Sequence, residues 1–235
     1  MALASGAWPA FSPGSARVKR QSPLAIVGDI HANTARLARA LDAIAGLAEV
    51  RGILVTGDIA GGPARRLLGG AGTNVVLAML RERGTPFVFV PGNHDTPLMD
   101  EPENVDGQIR NFCGWRVLGI GGAPRAFGLP YEWDDGTVEV PAGACDLVLS
   151  HAPPAGTSLA RTAGGVDAGS RQVRGLLRRR PSALVCGHIH EGVGIEEVDG
   201  VPCYNAGSLG GPFPRTQYGL LVFDEAVAFR HVTLT

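Results

Sequence analysis

Leu24-Ala25-Ile26-Val27-Gly28-Asp29-Ile30-His31 is an apolar run that stops at a glycine and then offers an acid and an imidazole two residues apart. Four apolar residues bounded by a turn former read as a buried β-strand. Glycine at the end permits a sharp turn and a close approach of backbone to whatever sits there. The same arrangement returns further along the chain. Gly52 to Thr56 runs into Gly57-Asp58, and Pro86 to Val90 into Gly92-Asn93-His94-Asp95. Asp146 to Leu149 runs into Ser150-His151, and Ala183 to Cys186 into Gly187-His188-Ile189-His190. Five of the six histidines sit in these clusters, so the histidines are placed by strand ends rather than scattered.

Helical spacing fills the gaps between the first strands. Leu37, Leu41, Ile44 and Ala48 share one face, with Asn33 or Thr34 as the N-cap. Thr73 to Arg83 reads as a second helix with Val76 and Leu80 on one side and Gly84 as its stop. A strand–helix–strand–helix–strand order predicts a parallel sheet with right-handed crossovers. The ligand crevice of such a sheet lies beyond the carboxyl ends of its strands, so the clusters are expected to meet along one rim. Asp95 to Gly114 reads as irregular, whereas Arg116 to Ile120 and Thr137 to Val140 read as strands. Ser170 is expected to cap a helix running to about Arg180. Val193 to Val198, Val201 to Asn205, Gly219 to Phe223 and Val227 to Leu234 read as a closing meander.

Composition narrows the function classes. A length of 235 residues with 45% hydrophobic content suits one domain with a sizeable core. Net charge is −1 and Arg178-Arg179-Arg180 is the one dense basic run, so no strong nucleic-acid footprint is expected. A small phosphorylated substrate, a nucleotide among the options, fits better, because bound cations supply positive charge locally. No stretch is long enough to span a bilayer. Residues 1–22 lack the charged start and apolar core of a secretory signal and read as a flexible tail, leaving 23–235 as the folded domain. Cys113, Cys145, Cys186 and Cys203 form no CxxC pair, so free thiols and a reducing, cytoplasmic setting are expected.

Two residues apart in extended chain, side chains point to the same side. Asp29 and His31 therefore reach one ion or neighbouring ions, as do His188 and His190. Carboxylate, amide and imidazole donors without thiolate suit manganese, iron or zinc, and disfavour calcium alone.

The ordered set GDIH, GD, GNHD, H and GHIH, from Leu24 to about Ser208, resembles the calcineurin-like metallophosphoesterase superfamily. The resemblance implies a four-layer αββα sandwich, two mixed sheets flanked by helices. It also implies two divalent ions, with manganese the first expectation and iron or zinc the alternatives. On that pattern Asp29, His31, Asp58 and His190 bind one ion. Asp58 bridges to a second, which Asn93, His151 and His188 complete. The implied reaction is attack on phosphorus by a metal-held hydroxide, with His94 protonating or stabilising the leaving oxygen and Asp95 orienting the His94 ring. His151 alone would read as structural; the company of the other motifs makes it a ligand.

Details after the motifs choose among branches. Ile59-Ala60-Gly61 after Asp58, and Asp95 after His94, depart from the phosphoprotein phosphatases. Ser150-His151-Ala152-Pro153-Pro154, Gly169-Ser170-Arg171 and Asn205-Ala206-Gly207-Ser208 look like the compact prokaryotic branch related to cyclic-nucleotide phosphodiesterases. Asn205 to Ser208 is read first as a turn. Arg65, Arg66, Arg161 and Arg171 are read first as solvated and second as phosphate contacts. Tyr131 and Trp133 are either packing residues or a base-stacking pair. His231, outside every motif, is expected at the surface of the last strand. The resulting expectation is a phosphodiesterase, with a small-molecule phosphomonoesterase as the neighbouring reading. A non-catalytic scaffold of the same fold is the reading from another class.

Overall fold

The computed structural model describes residues 23–61, 72–96, 100–211, 214–223 and 226–235. The tail 1–22, most of the glycine-rich segment after Ala60, and Arg65 and Arg66 lie outside these residues.

The first sheet is built from β1 (Leu24–Val27), β2 (Gly52–Val55) and β3 (Phe87–Phe89), which run parallel. Between them lie α1 (Thr34–Ala45) and α2 (Thr73–Glu82). Asn33 caps α1 by accepting the Arg36 N–H at 3.1 Å, and Gly84 follows α2 at φ +69°, a left-handed conformation that suits glycine.

The second sheet comprises β4 (Ile109–Phe112), β5 (Trp115–Ile120), β8 (Leu147–Ser150), β9 (Ala183–Cys186), β10 (Gly194–Val198) and β11 (Val201–Asn205). Two-residue β6 (Ala123–Pro124) and β7 (Glu132–Trp133) pair apart from it. The chain then returns to the first sheet through β12 (Gln217–Phe223), antiparallel to β1, and β13 (Val227–Thr233). Strand orders are β13-β12-β1-β2-β3 and β10-β11-β9-β8-β5-β4.

Alternation along each strand sorts its side chains into two layers. Leu24, Ile26 and Leu54 of the first sheet meet Val117, Leu147, Leu149, Val185 and Tyr204 of the second in one buried core. Ala25, Val27, Ile53 and Val55 face the other way, onto Leu37, Leu41, Val76 and Leu80 of α1 and α2. On the far side Val148, Leu184 and Cys203 pack on Val173, Leu176 and Leu177. The result is helix, sheet, sheet, helix, as the resemblance implies.

Three local expectations change. Strand β4 lies within the segment read as irregular. It pairs with β5 across Cys113-Gly114, a two-residue loop with both residues at positive φ. Such hairpin turns are usually announced by Asn-Gly or Asp-Gly; cysteine in the first place hides this one. Thr137 to Val140 is not a strand. Val138 donates its N–H to Gln172 Oε1 at 3.1 Å and accepts at its carbonyl from Gln172 Nε2, so a side-chain amide takes the place of a neighbouring strand. The last helix is shorter as an α-helix: α3 spans Arg171–Leu176, then tightens into a 3₁₀ turn over Leu177–Arg179 and stops at left-handed Arg180. Ser170 caps it as expected, accepting the Val173 N–H at 3.0 Å.

Candidate metal centre

The motif loops leave β1, β2, β3, β8 and β9 at their carboxyl ends, and the loops are tied to one another. His31 N–H donates to the Asp58 carbonyl at 2.7 Å and Ala32 N–H to the Ile59 carbonyl at 3.0 Å, locking the first motif to the second. The His188 N–H donates to both carboxylate oxygens of Asp29 at 3.1 Å, locking the fifth to the first. Asp29, His31, Asp58 and His188 all have positive φ, between 45° and 68°. Left-handed backbone costs an L-residue about 1–2 kcal/mol, and strain gathered at one rim marks a site.

One group of donors converges. Ligand atoms of Asp29, His31, Asp58 and His190 lie within 4.8 Å of one another. His31 Nε2 is 3.2 Å from His190 Nε2 and 3.4 Å from Asp58 Oδ2. Two imidazole nitrogens so close can share one proton, but a cation satisfies both lone pairs at once. The other expected ligands, Asn93, His151 and His188, lie towards the other oxygen of Asp58. His151 Nε2 is 3.1 Å from Asn93 Oδ1 and 3.7 Å from Asp58 Oδ1, and the ring centroids of His151 and His188 are 5.0 Å apart. His151 Nδ1 lies 2.7 Å from the Thr56 carbonyl, so it carries the proton and Nε2 keeps a free lone pair. Thr56 is a positioning residue that the motif reading passes over.

The backbone packs closely against the two buried carboxylates. A Cβ at Gly92 would lie 2.1 Å from Asp58 Oδ1, and one at Gly187 would lie 2.2 Å from Asp29 Oδ2. The two carboxylates already occupy the room that any larger residue would need. Oxygen and imidazole donors in this number suit borderline divalent ions.

Burial and neighbours set the charges. Burial alone would raise Asp29, but the hydrogen bond from His190 and the surrounding imidazoles hold it at about 2. Asp58 is pushed well above the ordinary carboxylate range by burial and then by Asp29 and Asp95. Burial and neighbouring His151 bring His188 down to about 3. Adjacent buried acids and neutral imidazoles are an arrangement that a cation stabilises.

His94 lies half-buried, its backbone N–H donated to Asp58 Oδ1 at 2.9 Å and its ring centroid 5.3 Å from that of His31. Burial and then His151 lower its pKa, so the ring is neutral near pH 7. Asp95 differs from expectation. Its buried carboxylate accepts from the N–H groups of Ile59 at 3.0 Å, Ala60 at 3.2 Å and Gly92 at 2.8 Å. It therefore clasps the second motif loop to the third, and no hydrogen bond joins it to the His94 ring.

The remaining singled-out residues fall outside the cluster. Arg161 donates to the Gly165 carbonyl at 2.9 Å, and Arg171 pairs with Asp135 at 3.1 Å. Tyr131 bonds Asp106, and Trp133 Nε1 donates to the Gly121 carbonyl at 3.0 Å, so both serve loop packing. Asn205 to Ser208 forms a turn in which Asn205 Oδ1 accepts the Gly207 N–H at 2.8 Å. Ser208 Oγ also donates to the Asp29 carbonyl at 3.0 Å, bracing the first motif. His231 is half-buried rather than superficial, its Nδ1 2.8 Å from the Tyr204 hydroxyl.

Residues 22–192 match the calcineurin-like phosphoesterase family. No curated protein sequence matches the chain. Among solved structures, a protein of Thermus thermophilus is similar over 89% of this chain and 98% of its own, with 17% identity and a TM-score of 0.63. A dimetal phosphatase from Danio rerio is similar over 92% of this chain and all of its own, with 12% identity and a TM-score of 0.59. At such identities the likeness is one of fold. Among the described residues no helix is long and apolar enough to cross a membrane.

Proposed function

The chain belongs to the calcineurin-like phosphoesterase family, and we propose that it hydrolyses a small phosphodiester at a centre of two divalent ions, manganese first. One observation carries the dinuclear reading: the two oxygens of Asp58 face different ligand groups, Oδ2 towards His31 and Oδ1 towards His151. A carboxylate that faces both groups would serve as the anion shared by two ions. Asp29, His31 and His190 would complete one ion, and Asn93, His151 and His188 the other.

When bound, the ions supply a nucleophile from water at neutral pH and neutralise phosphate oxygens. The chain's own contribution is to hold the donors rigidly. Asp95 clasps two loops, the Thr56 carbonyl sets the tautomer of His151, and Ser208 braces Asp29. Hydrolysis adds a water oxygen to phosphorus and breaks the ester P–O bond, and the leaving oxygen ends with a proton. A neutral His94 assists there by N–H donation rather than by a standing positive charge. The preference for a diester rests on the sequence around Ser150–Pro154 and Gly169–Arg171.

The test is to load the protein with manganese and count the ions. Turnover of bis-p-nitrophenyl phosphate is then compared with that of p-nitrophenyl phosphate. Two ions per chain and faster diester turnover are expected. Faster monoester turnover would make the protein a phosphatase. Two ions retained with neither ester cleaved would make it a scaffold.

A further inference from the structure

A cavity of about 220 Å³ opens beside the metal centre, bounded by His190, Glu191, Val193, Arg215 and Gln217. That is room for several waters at ~30 Å³ each, and less than the ~300–1,000 Å³ that encloses a whole drug-sized ligand. It suits one substituent of a substrate rather than all of it. His190 belongs both to this wall and to the converging ligand group, so a group in the cavity lies beside a phosphate held at the centre.

The polar groups of the wall are unequally used. Glu191, its one acid, accepts the Ala163 N–H at 2.9 Å. Arg215 is exposed, and its guanidinium has no acceptor among the described residues. An exposed arginine is usually just solvated. Arg215 differs in having a fixed backbone: its N–H donates to the Ser208 carbonyl at 3.2 Å, and the next carbonyl, of Thr216, accepts the Leu234 N–H at 2.7 Å. By contrast, Arg161 and Arg171 are engaged elsewhere. Gln217 is 3% exposed; its Nε2 donates to the Ala206 carbonyl at 3.1 Å, and its buried Oε1 has no donor among the described residues.

We propose that this cavity is a specificity subsite for a second anionic group on the substrate, with Arg215 as its counter-charge. The substrate class is then a phosphoester whose other substituent carries a carboxylate or phosphate. The inference rests on the phosphoesterase reading of the neighbouring centre.

Phosphonoacetate and methylphosphonate test it as competitors of chromogenic ester turnover by the manganese-loaded protein. Both present a phosphonate to the ions, and phosphonoacetate adds a second anion. In the unaltered protein phosphonoacetate should bind about ten-fold better. Arg215→Ala should reduce that advantage to about two-fold or less, Arg215→Glu should abolish it, and Arg215→Lys should keep most of it. Calorimetric titration of both competitors into the loaded proteins reads the same contrast without turnover. Binding with this contrast but no ester cleavage would sink the phosphoesterase reading and leave the subsite standing. An advantage equal in the unaltered protein and in Arg215→Ala, or no advantage in either, would overturn the subsite.

Discussion

Asp58 is the residue on which the proposed centre turns, because its two oxygens face different groups, Oδ2 towards His31 and Oδ1 towards His151. Asp58→Ala should lower bound manganese below two equivalents by elemental analysis. Retention of both ions would remove the bridge. The same carboxylate explains Gly92: a Cβ there would lie 2.1 Å from Asp58 Oδ1 and 2.2 Å from its backbone nitrogen. Gly92→Ala should therefore mimic the loss of Asp58 in metal content although it removes no ligand, and normal loading would show that the loop can yield. His94 is held by its backbone, so truncating the ring leaves the Asp58 contact in place. His94→Ala should keep its metal and lose about 10²–10⁴-fold in turnover of an ester with a poor leaving group. An unchanged rate would take His94 out of the reaction. At this scale the sequence reveals side chains that act as ends in themselves. It reveals caps such as Asn33 and Ser170, whose backbone partners are three residues away, but not contacts to backbone far along the chain, which is why Asp95 reads as a partner for the neighbouring ring while its carboxylate also clasps two loops.

Elements carry the ligands, and their joints are where stability can be tested apart from chemistry. Strands β5 and β8 run parallel, and Asp146 ties the start of one to the other. Its carboxylate accepts from the Arg116 N–H at 2.9 Å and from the guanidinium at 3.0 and 2.6 Å. Arg116 holds the Asp146 carboxyl below the usual carboxylate range. The depressed value fixes the sign: the pair's contribution is complete above an unfolded pKa near ~3.9 and is lost as pH falls through the lower folded value. Because the Arg116 side chain is nearly half exposed, Asp146→Asn should cost about 0.5–1 kcal/mol at pH 7. The gap from the unaltered protein in urea melts should narrow by pH 3, and a gap independent of pH would deny the ion pair. The elements legible in the sequence are those whose partners are regular. Apolar runs such as Leu24–Val27 and Ala183–Cys186 are buried on both faces, and their shortness and flanking glycines mark them as inner strands. Thr137 to Val140 alternates like a strand, yet its backbone is satisfied by Gln172, more than thirty residues away. Strand β4 depends on a Cys113-Gly114 turn that carries no usual turn signature.

The centre exists only because two sheets share one rim. Asp29, Asp58 and Asn93 follow strands of the first sheet, while His151, His188 and His190 follow strands of the second. The sequence makes that convergence legible because every motif ends a strand. It leaves the Arg215 cavity illegible, since a lone arginine between Pro214 and Thr216 belongs to no pattern until the return to β12 places it beside His190. A site divided between two sheets couples metal binding to the docking of the whole molecule, through the core where Leu24 and Ile26 meet Leu147 and Leu149. Ions that bind the native fold and not the open chain stabilise it by mass action, about 2.7 kcal/mol at a free concentration of 100 times Kd. For a chain of this length that corresponds to a rise in Tm of roughly 5–10 °C. Manganese should therefore raise Tm by this order, a chelator should reverse it, and Asp58→Ala should lose most of the increment. Equal melting with manganese and with chelator would mean that these side chains, though gathered in the folded chain, do not hold the ions on which the proposed hydrolysis depends.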